Sequence, residues 1–228
     1  FVWHDSLLPK VSKASCNILF DKMSMMHNLI ALNCTIAINY AKIAKHKEAY
    51  SRFQQAIAIM DKFTIELGSL PVQDYTQDFS MESINLYTSL LKGNSHISFI
   101  EFGKDKTGDP KACEALAQRC IACSKDFGAA YLASQGPSLK KIFPEKDFKN
   151  VIKYNEVTYI CEGYHFMAKK YAALVESTGK GIGMALGYME LGAEQFQLLD
   201  SFKKTLNQAV VVAIEKDKKQ YDINYTKW

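Results

Sequence analysis

Between Asp21 and Lys45 apolar residues recur twice over at alternating steps of three and four, a double recurrence that restricts the fold more than any other feature. One stripe is Met23, Met26, Ile30, Cys34, Ala37 and Ala41; the other is Leu29, Leu32, Ile36, Tyr40 and Ile43. Both follow the helical period. A helix with two apolar faces is expected between neighbours, with both faces buried, rather than on a surface. A second helix is predicted from Glu48 to Leu67, carrying Ala49, Phe53, Ala56, Met60 and Phe63 and ending at Gly68 with Pro71 beyond. Together they read as a helical hairpin of tetratricopeptide flavour.

A similar hairpin is predicted late in the chain. Its first arm holds Tyr154, Val157, Cys161, Tyr164, Ala168 and Tyr171; its second holds Ala185, Met189, Gly192, Phe196 and Leu199, with the break at Ser177 to Gly181. No fixed repeat period links the hairpins, so an irregular solenoid is expected rather than a regular array. A last helix is predicted from Ser201 to Lys219. At the other end, Phe1-Val2-Trp3 and Cys16 to Phe20 flank a polar stretch containing Pro9 and read as two short extended segments, a small hairpin within residues 1–20. The fold class is therefore all-α with a short β-hairpin at the N-terminal end, in one domain spanning 1–228.

Composition narrows the function. Apolar residues make up 48% of the 228 and charged residues 23%, ordinary for a globular chain, and no apolar run approaches a bilayer span. The chain begins at Phe1 with no signal pattern after it and reads as a piece of something longer. Arg52 and Arg119 are the only arginines among 28 basic residues, too few of the forked donors that specific nucleic-acid readers use. The scattered lysines leave weak attraction to an anionic membrane surface open. Five of the six cysteines (Cys34, Cys113, Cys120, Cys123, Cys161) fall on helical apolar stripes, which predicts free thiols and a reducing, cytosolic compartment.

The chemical motifs are thin. Cys120-Ile121-Ala122-Cys123 has no second ligand pair nearby, and with Cys113, Leu116 and Phe127 it completes an apolar stripe. The histidines His4, His27, His46, His96 and His165 form no metal pattern. Gly179 to Gly183 lacks the spacing and the Lys-Ser/Thr ending of a phosphate loop, and a hairpin turn is expected there. Asp74, Asp78 and Glu82 read as loop caps and a solvated first turn. Asn33 and Asn224 match the glycosylation pattern by chance. No catalytic group, metal or cofactor is therefore predicted.

What remains is the junction of two helices. One is predicted from Ser80 to Phe102; the next opens at Asp109-Pro110, a good N-cap followed by proline at the first helical position. Phe99, Phe102 and Leu116 flank the turn; by period alone such residues are core by default, and the alternative is a groove for a partner's amphipathic helix, which exposed apolar residues beside a turn can form.

The order of several pieces resembles a known family. Phe1-x-Trp3-x-Asp5, then Ser15-Cys16-Asn17-Ile18-Leu19-Phe20, then Leu29-Ile30-Ala31-Leu32-Asn33 resemble the middle of the BRO domain of ALIX-like proteins. Ala49-Tyr50 to Leu67, Phe143-Pro144 through Ala172, and Lys216-Asp217 to Tyr221 resemble its later helices. The resemblance implies a tetratricopeptide-like core without the family's N-terminal helical section and C-terminal segment. It also implies an adaptor that binds the C-terminal amphipathic helix of an ESCRT-III polymer subunit and is recruited to endosomes for membrane scission. Carried over, the family's groove falls on Ser98 with Phe99 adjacent, and on Ala112 and Leu116 of the next helix. Ser98 and Ala112 are smaller than the family's residues. Either the groove is shallower, or Phe99 and Cys113 take those roles after a one-residue shift. On this expectation Leu116→Asp removes binding and leaves the fold intact.

Overall fold

The computed structural model describes residues 2–71, 75–143 and 146–200, and beyond them Val211, Val212, Glu215 and Lys219, which are helical. The predicted last helix lies otherwise outside the described residues, as do Phe1, Asp74, Pro144, Tyr221, Asn224 and Tyr225. The described residues are mostly helical: β1 (Val2–His4) and β2 (Ser12–Ala14) are followed by α1 (Ile18–Lys42), α2 (His46–Leu67), α3 (Met81–Gly103), α4 (Pro110–Ser134), α5 (Pro137–Ile142), α6 (Lys146–Thr178) and α7 (Ile182–Asp200). Two compact units divide them. The first draws on Phe1–Ser98 and Ala129–Pro144, the second on Phe99–Gly128 and Glu145–Trp228.

In the first unit β1 and β2 pair antiparallel, Trp3 opposite Lys13. The second strand therefore lies at Ser12–Ala14 rather than at Cys16 to Phe20. The cause is a cap: the Asn17 side chain accepts the Leu19 N–H at 2.9 Å, so the helical period starts at Ile18 and Phe20 becomes the first buried residue of α1. Two acidic side chains then fasten the hairpin. Asp78, fully buried in a 3₁₀ turn at Gln77–Phe79, accepts from Trp3 Nε1 at 3.1 Å and from the Ser6 N–H at 2.9 Å. Asp5 reciprocates, accepting from the N–H groups of Gln77, Leu7 and Leu8. Trp3, Phe20 and Phe63 gather on the Phe79 ring, centroids 5.3 to 5.7 Å apart. In the sequence, Trp3-x-Asp5 thus marks the residues that tie the hairpin to this core through Gln77 and Asp78.

α1 and α2 form the expected hairpin, turning through Ala44 in the left-handed conformation at φ 57°. The stripe of Met23, Met26, Ile30 and Ala37 is buried as expected. The second stripe is only partly so: Leu29, Leu32 and Ile43 are 46%, 53% and 62% exposed, with Met25 beside them, while Ile36 and Tyr40 are half-buried. α1 thus has one buried face, which packs against α2, and one face that is largely exposed.

In the second unit α6 and α7 form the other hairpin, broken where expected by Gly179 and Gly181, both at positive φ (68° and 109°). Val157, Cys161 and Ala168 of α6 pack with Met189 and Phe196 of α7. Gly163 lets α6 approach α4: a Cβ there would stand 3.3 Å from Cys120 Cβ and 3.4 Å from the Ala117 carbonyl oxygen. Cys113, Cys120, Cys123 and Cys161 are buried free thiols, as their stripe positions predict; Cys34 is half-buried and Cys16 exposed.

Candidate functional site

α3 ends at Gly103, a 3₁₀ turn covers Lys104–Lys106, and α4 opens at Pro110. Asp109 is the cap the sequence predicts, its carboxylate accepting the Lys111 N–H at 3.0 Å and its carbonyl the Cys113 N–H at 3.0 Å. The Cys113 thiol turns back onto the Thr107 carbonyl at 3.2 Å and closes the turn.

The six predicted binding residues separate by exposure. Leu116 is 3% exposed and lies against the bare Cα of Gly103, where a Cβ would come within 2.7 Å of Leu116 Cδ2. Cys113 and Ser98 are buried too, the Ser98 hydroxyl donating to the Asn94 carbonyl at 3.1 Å. Ala112 and Phe99 are half-buried, and Phe102 is 45% exposed. Leu116→Asp therefore buries a charge in packed surroundings, and the fold does not stay intact under it. The surface of the junction belongs to Phe102, Phe99 and Ala112.

Cations dress the two rings. The Arg119 guanidinium lies 4.9 Å from the Phe99 centroid, and Lys106 Nζ 5.3 Å from that of Phe102. Arg119 stands seven residues after Ala112 and three after Leu116, on the same side of α4, a spacing that could have pointed to it. Lys104 sits 2.6 Å from Glu101 and 3.2 Å from Glu162. Burial opposes its charge, but the two carboxylates outweigh burial and raise its pKa.

Nothing at the junction is an activated nucleophile. Burial pushes the Cys113, Cys120 and Cys123 thiols up, away from thiolate. His165 is held down at about 4, by burial first and then by Lys169 and Lys104. Among the described residues no three His, Cys, Asp or Glu side chains gather as a metal site, and no helix is long and apolar enough to cross a membrane. The junction offers an aromatic pair under cations, suited to apolar side chains accompanied by carboxylates. No protein-family model and no curated protein matches this chain.

Proposed function

We propose that this chain is the central part of a BRO-type domain, a tetratricopeptide-like solenoid acting as a non-catalytic adaptor. Its partner is the C-terminal amphipathic helix of an ESCRT-III polymer subunit, bound at the α3–α4 junction, and its setting is the cytoplasm with recruitment to endosomes. The ordered resemblance along the chain supports the family, and the α1–α2 and α6–α7 hairpins accord with its architecture. The observation that carries the site is Phe102, an exposed ring with a lysine over it beside the half-buried, arginine-capped Phe99. An apolar anchor seated on these rings, with an acidic rim meeting Arg119 and Lys106, is helix-in-groove recognition. A helical scaffold for a different acidic peptide, or for an anionic membrane surface, is the second reading; the same cations favour it.

The test is calorimetric titration with the ESCRT-III helix peptide, compared with Phe102→Asp. Micromolar binding, about −8 kcal/mol, is expected, weakened at least about thirtyfold in the variant with an unchanged melt. A folded chain that ignores the peptide, or a variant that binds equally well, refutes the assignment.

A further inference from the structure

The first unit contains a cleft of about 360 Å³ that the adaptor reading does not use. That volume falls within the range of small-molecule sites. The cleft's apolar lining includes Ile30 and Ile38 of α1, Phe53 and Met60 of α2 and Leu91 of α3. Water placed there meets mostly hydrocarbon and few hydrogen-bonding partners. Ala31, also in the lining, is exposed on α1.

The polar groups in the lining are few and specific. Tyr87 is hydrogen-bonded with Ser6, and both line the cleft with His27. Asn94 uses its Nδ2 to donate to the Leu90 carbonyl at 2.7 Å, which leaves Oδ1 as an acceptor. No Lys, Arg, Asp or Glu lines the cleft. The nearby carboxylates, Asp5 and Asp78, are engaged by backbone N–H groups and by Trp3. His27 is held toward its neutral form by burial, against the opposing pull of Asp78 and Asp5. A charged ligand entering here would lose its hydration and meet no charged side chain in the lining, while the two nearby carboxylates are already engaged. The lining runs along α1 from His27 to Ile38, about 16 Å at 1.5 Å per residue, a length that an extended hydrocarbon chain can follow.

We propose that this cleft binds a neutral, elongated, mainly hydrocarbon small molecule carrying a single hydrogen-bonding group such as a hydroxyl. The hydrocarbon displaces water from Ile30, Ile38, Phe53, Met60 and Leu91, and the hydroxyl reaches Asn94 Oδ1 or the Tyr87–Ser6 pair. The geometry ranks ligands of one chain length by charge: the alcohol binds, while the carboxylate and the amine of the same length do not.

The experiment titrates the full chain with the neutral fluorophore N-phenyl-1-naphthylamine and displaces it with 1-decanol, decanoate or decylamine. Saturable one-to-one binding is expected, with decanol displacing the probe at about tenfold lower concentration than either charged analogue. Ala31→Trp, which adds bulk to the lining from an exposed position, removes binding and leaves the melt unchanged or raised. A second measurement does not depend on that variant. In a Cys16→Ser chain, decanol slows alkylation of Cys34, a cleft residue, by N-ethylmaleimide. Absence of saturable binding, equal competition by the charged analogues, persistence of binding in a folded Ala31→Trp chain, or unprotected Cys34 overturns the proposal.

Discussion

Removing the Asp78 carboxylate tests how the N-terminal hairpin is held. Asp78 is fully buried and joins residues more than seventy positions apart, accepting from Trp3 Nε1, the Ser6 N–H and the Thr76 hydroxyl. Asp78→Ala removes both carboxylate oxygens and strands two buried donors, Trp3 Nε1 and the Thr76 hydroxyl, together with the part-buried Ser6 N–H. Each stranded buried donor costs about 1–3 kcal/mol. The two buried ones together cost about 4 kcal/mol, a large part of the roughly 5–15 kcal/mol that stabilises a folded domain. For a chain of this length that lowers Tm by about 8–16 °C. Asp78→Asn keeps the shape and one acceptor oxygen, so it should lose about half as much. Thermal and urea unfolding followed by helical circular dichroism measures both. A melt of Asp78→Ala within about 2 °C of the parent would show that the carboxylate does not hold the hairpin.

Three further outcomes follow from the same structure. His165 binds its proton less readily when folded (about 4 against 6.5), so the unfolded chain takes up more protons between those values. The stability it supports is complete above pH about 6.5 and is lost as pH falls toward 4, on the order of 3 kcal/mol. His165→Gln should flatten that slope in urea titrations, leaving a remainder from His27, which shifts the same way. On α1, Leu29→Glu and Leu32→Glu should each stay within about 0.5 kcal/mol of the parent, whereas Met23→Ala should lose about 2–5 kcal/mol; equal losses would mean both faces are buried. Gly103→Ala pushes a methyl to 2.7 Å from Leu116 Cδ2 and should cost about 1–3 kcal/mol. In a double-mutant cycle Leu116→Ala makes room for it, so the pair should lose less than the two singles summed; strict additivity would separate the sites.

Local signals carried the helix boundaries well. Asp109-Pro110 opens α4 and the Gly179 to Gly181 segment divides α6 from α7, because caps and left-handed glycines act within a few residues. What failed was non-local. A periodic stripe tells which residues share a face but not whether anything faces them, so the two stripes of α1 look equivalent in sequence, yet one is mostly buried and the other mostly exposed. Leu116 and Phe102 read alike until Gly103 is found beneath the leucine. Asp78 was legible as a loop cap, but its bond to Trp3 crosses 75 residues. The cleft assembles from three helices and the hairpin, so no window of sequence contains it. The short helix α5 also escaped notice, since six residues cannot display a period.

Gly179 and Gly181 also bear on how copies of this chain behave at high concentration. Had both residues been helical, α6 and α7 would run on as one long rod, and each chain could recover its lost hairpin contacts only from a second copy. Exchange of arms between chains starts with such straightening of a hinge. Two left-handed positions within three residues oppose it, because each must abandon a conformation that glycine holds at no steric cost and enter a helix that glycine weakens. The loop therefore works as a safeguard against swapped dimers, and alanine at both positions would remove it.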